Sequence, residues 1–167
     1  MTAETSSSAP ALIWRAAHFT ELTVDELYAL LQARAAVFVV EQQCIYQDID
    51  GIDRQAHHIL GWRQTATERE LVAYCRLVAP GVKYAEPSIG RVITTAAGRG
   101  QGFGKALMQQ ALALHEALYP GRGNRISAQQ YLERFYRAFG YRTVSAPYDE
   151  DGLPHVEMLR EGSPQAT

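Results

Sequence analysis

Cysteine is scarce in this 167-residue chain, which has two, Cys44 and Cys75, and no C-x-x-C pair. A multi-bridge disulfide scaffold and a thiolate zinc site are thereby excluded, and both thiols are expected to stay reduced. Long apolar runs are missing too, so no segment is expected to cross a bilayer. The first residues show no basic stretch leading into an apolar one, which leaves a cytoplasmic location as the default expectation. Positive charge is not in excess: 16 Lys and Arg stand against 18 Asp and Glu, a net charge of -2 at pH 7. Neither nucleic acid nor a membrane is therefore an expected partner. His57-His58 lacks zinc-ligand spacing, and neighbouring strand residues point to opposite faces, so no metal is expected. The G-x-S-x-G pattern of a serine nucleophile is absent as well. With 47% hydrophobic and 20% charged residues, no repeat and no linker, the chain reads as one globular domain with a real core.

What is present is glycine in one place. Gly98-Arg99-Gly100-Gln101-Gly102-Phe103-Gly104-Lys105 lies between a strand-like run, Ser88 to Thr94, and an apolar stripe at helical spacing, Phe103, Leu107, Ala111, Leu114 and Leu118. A strand that ends in alternating glycines and opens a helix exposes backbone N–H groups to a ligand, and the helix start favours an anion. Arg99 and Lys105 add cationic donors, so the stretch reads as a pyrophosphate cradle. A P-loop is excluded because Arg99 and Ala106 stand where Gly and Ser or Thr are required. The dinucleotide fingerprint fails in both registers, at Phe103 and at Lys105. A plain glycine-rich turn into an ordinary helix stays open at this point.

The rest of the chain supplies the frame. Residues 1–11 form a Ser/Thr/Ala tail expected to be disordered, 12–160 the domain, and 161–167 a C-terminal tail. A short strand at Leu12-Ile13-Trp14 precedes a helix opened by a capping box, Thr23 with Glu26, and running toward Val40. Residues 41–53 read as a polar connection. His57–Trp62 and Leu71–Val78 form an antiparallel hairpin. After the glycine loop and its helix come a strand at Arg125-Ile126-Ser127 and a helix carrying Leu132, Phe135, Tyr136 and Phe139, stopped by Gly140. Strands at Tyr141–Val144 and His155–Leu159 close the chain, with a loop from Pro147 to Pro154 between them.

Several candidates keep two readings. Glu41, Asp48, Asp50 and Asp53 suit either an amine-binding mouth or a solvated polar loop; a calcium loop is excluded, since Gly51 comes too early and Ile59 holds the twelfth position. His155 and Glu157 share a strand face and either contact substrate or pair within the sheet. On helical spacing alone, Tyr136 is a core aromatic beside Phe135.

The pattern R-x-x-G-x-G, in Arg99, Gly102 and Gly104, resembles the acetyl-CoA loop of the GNAT superfamily of N-acetyltransferases. The run Leu132 to Tyr141 resembles that superfamily's second signature, a tyrosine-bearing helix ending at Gly-aromatic. Val37 to Gln42, Asp48 to Gly51 and Pro154 to Met158 resemble its ElaA-like branch. The resemblance, from about Leu12 to Arg160, implies a single-domain α/β (α+β) fold, a mixed and mainly antiparallel sheet with helices on both faces. It implies direct acetyl transfer from acetyl-CoA to an amine of a small molecule, peptide or protein, without metal, by a monomer or homodimer. The cofactor would lie on the backbone at Ile93 and Thr94, on Arg99, Gly100, Gln101, Gly102, Phe103, Gly104 and Lys105, and on the Gln129 amide. Tyr136 would protonate the departing thiolate, since a phenol and a thiol are of comparable acidity. Glu41, Asp48, Asp50, His155 and Glu157 are the expected acceptor-side residues. A non-catalytic acyl-CoA-binding module is the alternative, which Tyr136 argues against.

Overall fold

The computed structural model describes residues 11–164; the remainder of the expected tails, residues 1–10 and 165–167, lies outside the described residues. Strands β1 (Ile13–His18), β2 (Ala56–Gln64), β3 (Arg69–Val78) and β4 (Ser88–Thr94) pair antiparallel in that order. A second sheet places β8 (Leu153–Arg160) between β5 (Asn124–Gln129) and β6 (Tyr141–Thr143), with β7 (Tyr148–Glu150) also on β8. Helices α1 (Val24–Arg34), α2 (Phe103–Leu118) and α3 (Glu133–Arg137) complete the frame.

Both faces of the first sheet are covered, which is why Leu71 to Val78 of β3 are buried without interruption. Ile59, Val72, Cys75 and Leu77 meet Phe103, Leu107 and Ala111 of α2 on one face. Leu60, Trp62 and Tyr74 meet Leu30 and Ala33 of α1 on the other. The expected capping box starts α1: the Glu26 N–H donates to Thr23 Oγ1, and the Thr23 N–H returns a bond to Glu26 Oε2. The α2 stripe differs from the expected one. Leu118 is 38% exposed, and His115, fully buried, takes the core line and bonds to the Gly123 carbonyl. At the end of α2 the chain turns back through Gly121 and Gly123, and that turn needs a polar partner more than another leucine.

The two sheets share one apolar core, and β4 and β5 are bridged where they begin. The Arg125 N–H donates to the Pro87 carbonyl, and the Ile89 N–H to Asn124 Oδ1. Asn124, fully buried, also accepts from the Tyr141 hydroxyl, so one side chain ties together β4, β5 and β6. Beyond these contacts no ladder joins the two strands among the described residues, and they enclose a cleft. Strand β4 is bulged on the way: its register against β3 shifts between Tyr74 and Arg76, and Arg91 has φ 53°. A side-chain-bearing residue in that region costs about 1–2 kcal/mol, so its neighbours must hold it there.

After α1 the chain continues as a π-helical turn, Ala35–Glu41, which buries Val37 and Phe38. The segment that follows is no solvated loop: Asp48 and Asp53 are 9% and 5% exposed.

Candidate active site

The cleft between β4 and β5 encloses about 990 Å³ and runs from the glycine loop to the hairpin of β7 and β8. Its two ends are built on different principles.

At the glycine loop the reading groups are backbone. Gly100 and Gly102 have φ of 75° and 78°, which residues with a Cβ rarely adopt, and Gly102 caps α2 without any side chain closing the helix start. The amides of Phe103, Gly104 and Lys105 find no protein acceptor among the described residues. Gly98 anchors the loop, since a Cβ there would sit 2.9 Å from Val72 Cβ. A Cβ at Gly100 or Gly102 would meet nothing within 4 Å, so these two face open space. Three free amides, two open glycines and the positive end of a 16-residue helix fit the pyrophosphate of an acyl-CoA.

Of the side chains expected there, Phe103 is turned into the core at 6% exposure and can serve a ligand only through its amide. Gln101 spends its amide group on the Ala97 carbonyl. Lys105 is exposed. Arg99 lines the cleft but is engaged, donating to the Thr94 carbonyl and pairing with Glu41 at 2.6 Å. Ile93, Thr94 and Gly104 also line the cleft. Gln129 lies at the end of β5 and donates to Gln42 Oε1 at 3.1 Å. Two consecutive residues after α1, Glu41 and Gln42, thus reach Arg99 on one wall and Gln129 on the other.

Tyr136 lines the middle of the cleft from α3. Its ring packs edge-on against Phe135 and Tyr141, with centroids 5.1 and 5.9 Å away. No hydrogen bond from a described residue reaches its hydroxyl. Burial raises its pKa well above the usual phenol range, with the nearby Cys75 thiol adding to the shift, so the phenol keeps its proton at neutral pH. Gly140, φ 87°, ends this segment, with its N–H on the Arg137 carbonyl. The core-aromatic and site readings therefore describe the same residue: the ring is core, and the hydroxyl is free.

The other end of the cleft rests on ionised side chains. Arg34, fully buried, donates to Asp48 Oδ2, the Asp48 carbonyl and Asp53 Oδ1 at 3.1, 2.7 and 2.7 Å. Arg76 holds both Asp50 oxygens and Asp53 Oδ1; Arg91 holds Asp48 Oδ1 and Asp50 Oδ2. Two atoms of this network, Asp53 Oδ2 and Arg76 Nε, have no partner. Burial alone would raise the pKa of Asp50, but the Arg76 bonds and charge, the Ile52 N–H and Arg91 outweigh it and pull the carboxyl down to about 2. The Arg91 side chain reaching back to Asp48 and Asp50 is what holds its bulged backbone.

Among the expected acceptor-side residues, Glu41, Asp50 and His155 line the cleft, and Asp48 and Glu157 do not. Asp48 is enclosed by Arg34 and Arg91 and has no oxygen to spare for a substrate cation. Glu157 pairs with Arg125, which also holds Glu86, outside the cleft. His155 donates from Nδ1 to the Leu153 carbonyl, a tautomer inferred from that acceptor, which leaves Nε2 3.4 Å from Glu150. Glu150 in turn accepts from Ser127 Oγ. Sequence reading missed Gln42, Arg76, Lys83, Arg91, Ser127 and Glu150 as cleft residues. Among the described residues no cluster of His, Cys, Asp or Glu could hold a metal ion, and no helix is long and apolar enough to cross a membrane. Cys44 and Cys75 are both buried and unpaired.

Comparison with known proteins completes the picture. A sequence profile of the Acetyltransferase (GNAT) domain matches residues 17–161. Protein ElaA of Escherichia coli strain K12 is 45% identical over 150 residues, covering 89% of this chain and 95% of ElaA. Among solved structures, an acyl-CoA N-acyltransferase from Pseudomonas aeruginosa matches with a TM-score of 0.84 at 43% identity, covering 90% of this chain and 99% of that one. The structure of Escherichia coli ElaA matches with a TM-score of 0.83 at 45% identity, with the same coverage.

Proposed function

The chain belongs to the GNAT acetyltransferase family, and we propose that it moves an acetyl group directly from acetyl-CoA to an amine in the cleft between β4 and β5. The observation that carries this reading is the pairing of three unclaimed amides at the start of α2 with an unclaimed, protonated phenol in the same cleft. Acetyl-CoA supplies an activated thioester carbon and a thiolate leaving group. The amides of Phe103, Gly104 and Lys105 receive the pyrophosphate, and Arg99 leaves Glu41 to join them. Gln129 exchanges Gln42 for an amide of the pantetheine arm. The backbone at Ile93 and Thr94 donates to the thioester oxygen as negative charge develops there. Tyr136 gives its proton to the departing sulfur. An amine with a pKa of about 10.4 must lose a proton before it attacks, and His155, which lines the acceptor side of the cleft, receives it.

The test is CoA-thiol release from acetyl-CoA across a broad panel of amines, with acetyl-CoA affinity measured in parallel. Turnover with at least one amine is expected. Tight acetyl-CoA binding without turnover on any amine would support the non-catalytic acyl-CoA-binding alternative instead.

A further inference from the structure

The charges on the acceptor wall do not all cancel. Glu41 holds Arg99, Asp50 holds Arg76 and Arg91, and Glu150 faces His155. Two charged residues that line the cleft have no ion pair among the described residues, Lys83 and Asp151. They are of opposite sign and do not neutralise one another. Lys83 lies in the loop between β3 and β4, and the charges around it are Glu150, Arg91, Arg76 and Asp50. Asp151 is the tip of the β7–β8 hairpin, with φ 54°, and the titratable group it acts on is the Cys44 thiol.

We propose that the acceptor is a zwitterion, an amine that also carries a carboxylate, read by the two unpaired charges of the cleft wall, Lys83 for the carboxylate and Asp151 for the ammonium. The proposal rests on the transferase reading above and deepens it by naming the substrate class.

The chemistry of the wall favours this over a simple amine. The acids that a cationic amine would need are engaged, Glu41 and Asp50 by arginines and Glu150 by His155 and Ser127, except at Asp151. The unspent cation, Lys83, has only the Tyr84 ring beneath its ammonium, 5.4 Å from the centroid. The residue is exposed at its stem and lines the cleft wall with its neighbours. Partial burial, with Arg91 and Arg76 close by, lowers its pKa, and Glu150 and Asp50 oppose the shift only in part. A carboxylate placed there restores what the protein leaves out. Once the ammonium end has been recognised, its proton passes to His155 Nε2, the nitrogen that the Leu153 bond leaves toward Glu150. The neutral amine then forms the new N–C bond, the C–S bond breaks, the sulfur takes the Tyr136 proton, and the second proton shed by the nitrogen returns through water to the Tyr136 phenolate.

The experiment compares kcat/KM for glycine, β-alanine, 4-aminobutyrate, lysine and glycylglycine with that for the carboxamide of each, using acetyl-CoA and the full-length protein. At the favoured length the acid should outrun its amide by about tenfold or more, the scale of one charge-assisted contact. Lys83→Met keeps the apolar stem over Tyr84 and should bring that ratio close to one, whereas Lys83→Arg should preserve it. Asp151→Asn tolerates the positive φ and should raise KM for acids and amides alike. Acids and amides turned over equally, or a preference that survives Lys83→Met, would overturn the zwitterion proposal and leave acetyl transfer standing. Bound acetyl-CoA with no turnover of any amine would overturn both.

Discussion

The two ends of the cleft solve the same problem, holding charge in place, by opposite means. At the start of α2 the donors are main-chain amides with no partner, and the residues around them matter chiefly for lacking side chains. At the acceptor end three arginines and three aspartates, drawn from α1, the 48–53 segment, β3 and β4, use nearly every polar atom on one another. The first arrangement is poised for an anion and contributes little to folding. The second is complete within the protein, and it fixes one wall of the cleft. Backbone sites tolerate changes that keep the loop open; buried ion networks fail when one member goes.

The sharpest break in that contrast is Arg34→Ala. Removing the fully buried cation takes three hydrogen bonds from the network and leaves Asp48 to Arg91 and Asp53 to Arg76 alone, and the loss should be about 3–5 kcal/mol, a large part of the stability of a single domain. Urea unfolding would read it, and a change below about 1 kcal/mol would mean that the network is not structural. Tyr136→Phe tests the free hydroxyl between the two ends. Volume and core contacts are kept, so unfolding should be nearly unaffected while kcat falls by about 10²–10⁴-fold and acetyl-CoA affinity holds. Single-turnover rates exclude masking by slow product release, and wild-type chemistry in a folded variant would return Tyr136 to the core alone.

Acid titration sharpens the comparison further. The carboxyl of Asp50 sits at about 2 in the folded protein against 3.8 unperturbed. Its folded pKa is the lower one, so it stabilises the fold above pH 4 and that contribution fades as pH falls from about 4 to about 2. The lost part is about 2 kcal/mol, and it should be missing from the pH–stability curve of Asp50→Asn. Equal slopes in both proteins would contradict the assignment. The smallest effect belongs to the link between the ends. Glu41→Gln releases Arg99 from a half-exposed pair worth about 0.2–1 kcal/mol, so acetyl-CoA should bind up to about fivefold more tightly, and less so in high salt. Weaker binding would mean that Glu41 aids the cofactor and does not compete with it.

The same contrast explains how much of the molecule was legible beforehand. The strand, glycine turn and helix start at 98–105 were legible from eight consecutive residues because glycines at a strand-to-helix junction carry their conformational meaning locally. The β2–β3 hairpin, the capping box and the Gly140 stop were local as well. The acceptor end was not local. Arg34 sits on the buried face of α1 in series with Leu27, Leu30 and Leu31, and its partners lie 14 and 19 residues away. A charged residue on an apolar helical face was the available signal that an acid must follow; it did not say which one. Period-two alternation put His155 and Glu157 on one face, but only the path of β8 decides that His155 meets the cleft while Glu157 meets Arg125. Leu118 gave way to His115 because a tertiary turn, invisible to helical periodicity, needed a donor.

The most direct test of a donor end read by main chain is calorimetric titration of acetyl-CoA into Gly102→Val and Gly104→Val beside the wild type, with thermal unfolding followed on each. A Cβ at Gly102 meets no atom within 4 Å, and one at Gly104 lies 3.7 Å from Phe135, an ordinary contact. Both variants should therefore fold. Gly102→Val strains a positive φ, at about 1–2 kcal/mol, and re-aims the loop amides; Gly104→Val fills the cleft at the first turn of α2. The predicted result is loss of acetyl-CoA binding in both while cooperative unfolding persists. Wild-type affinity in both folded variants would contradict the account and place the cofactor elsewhere.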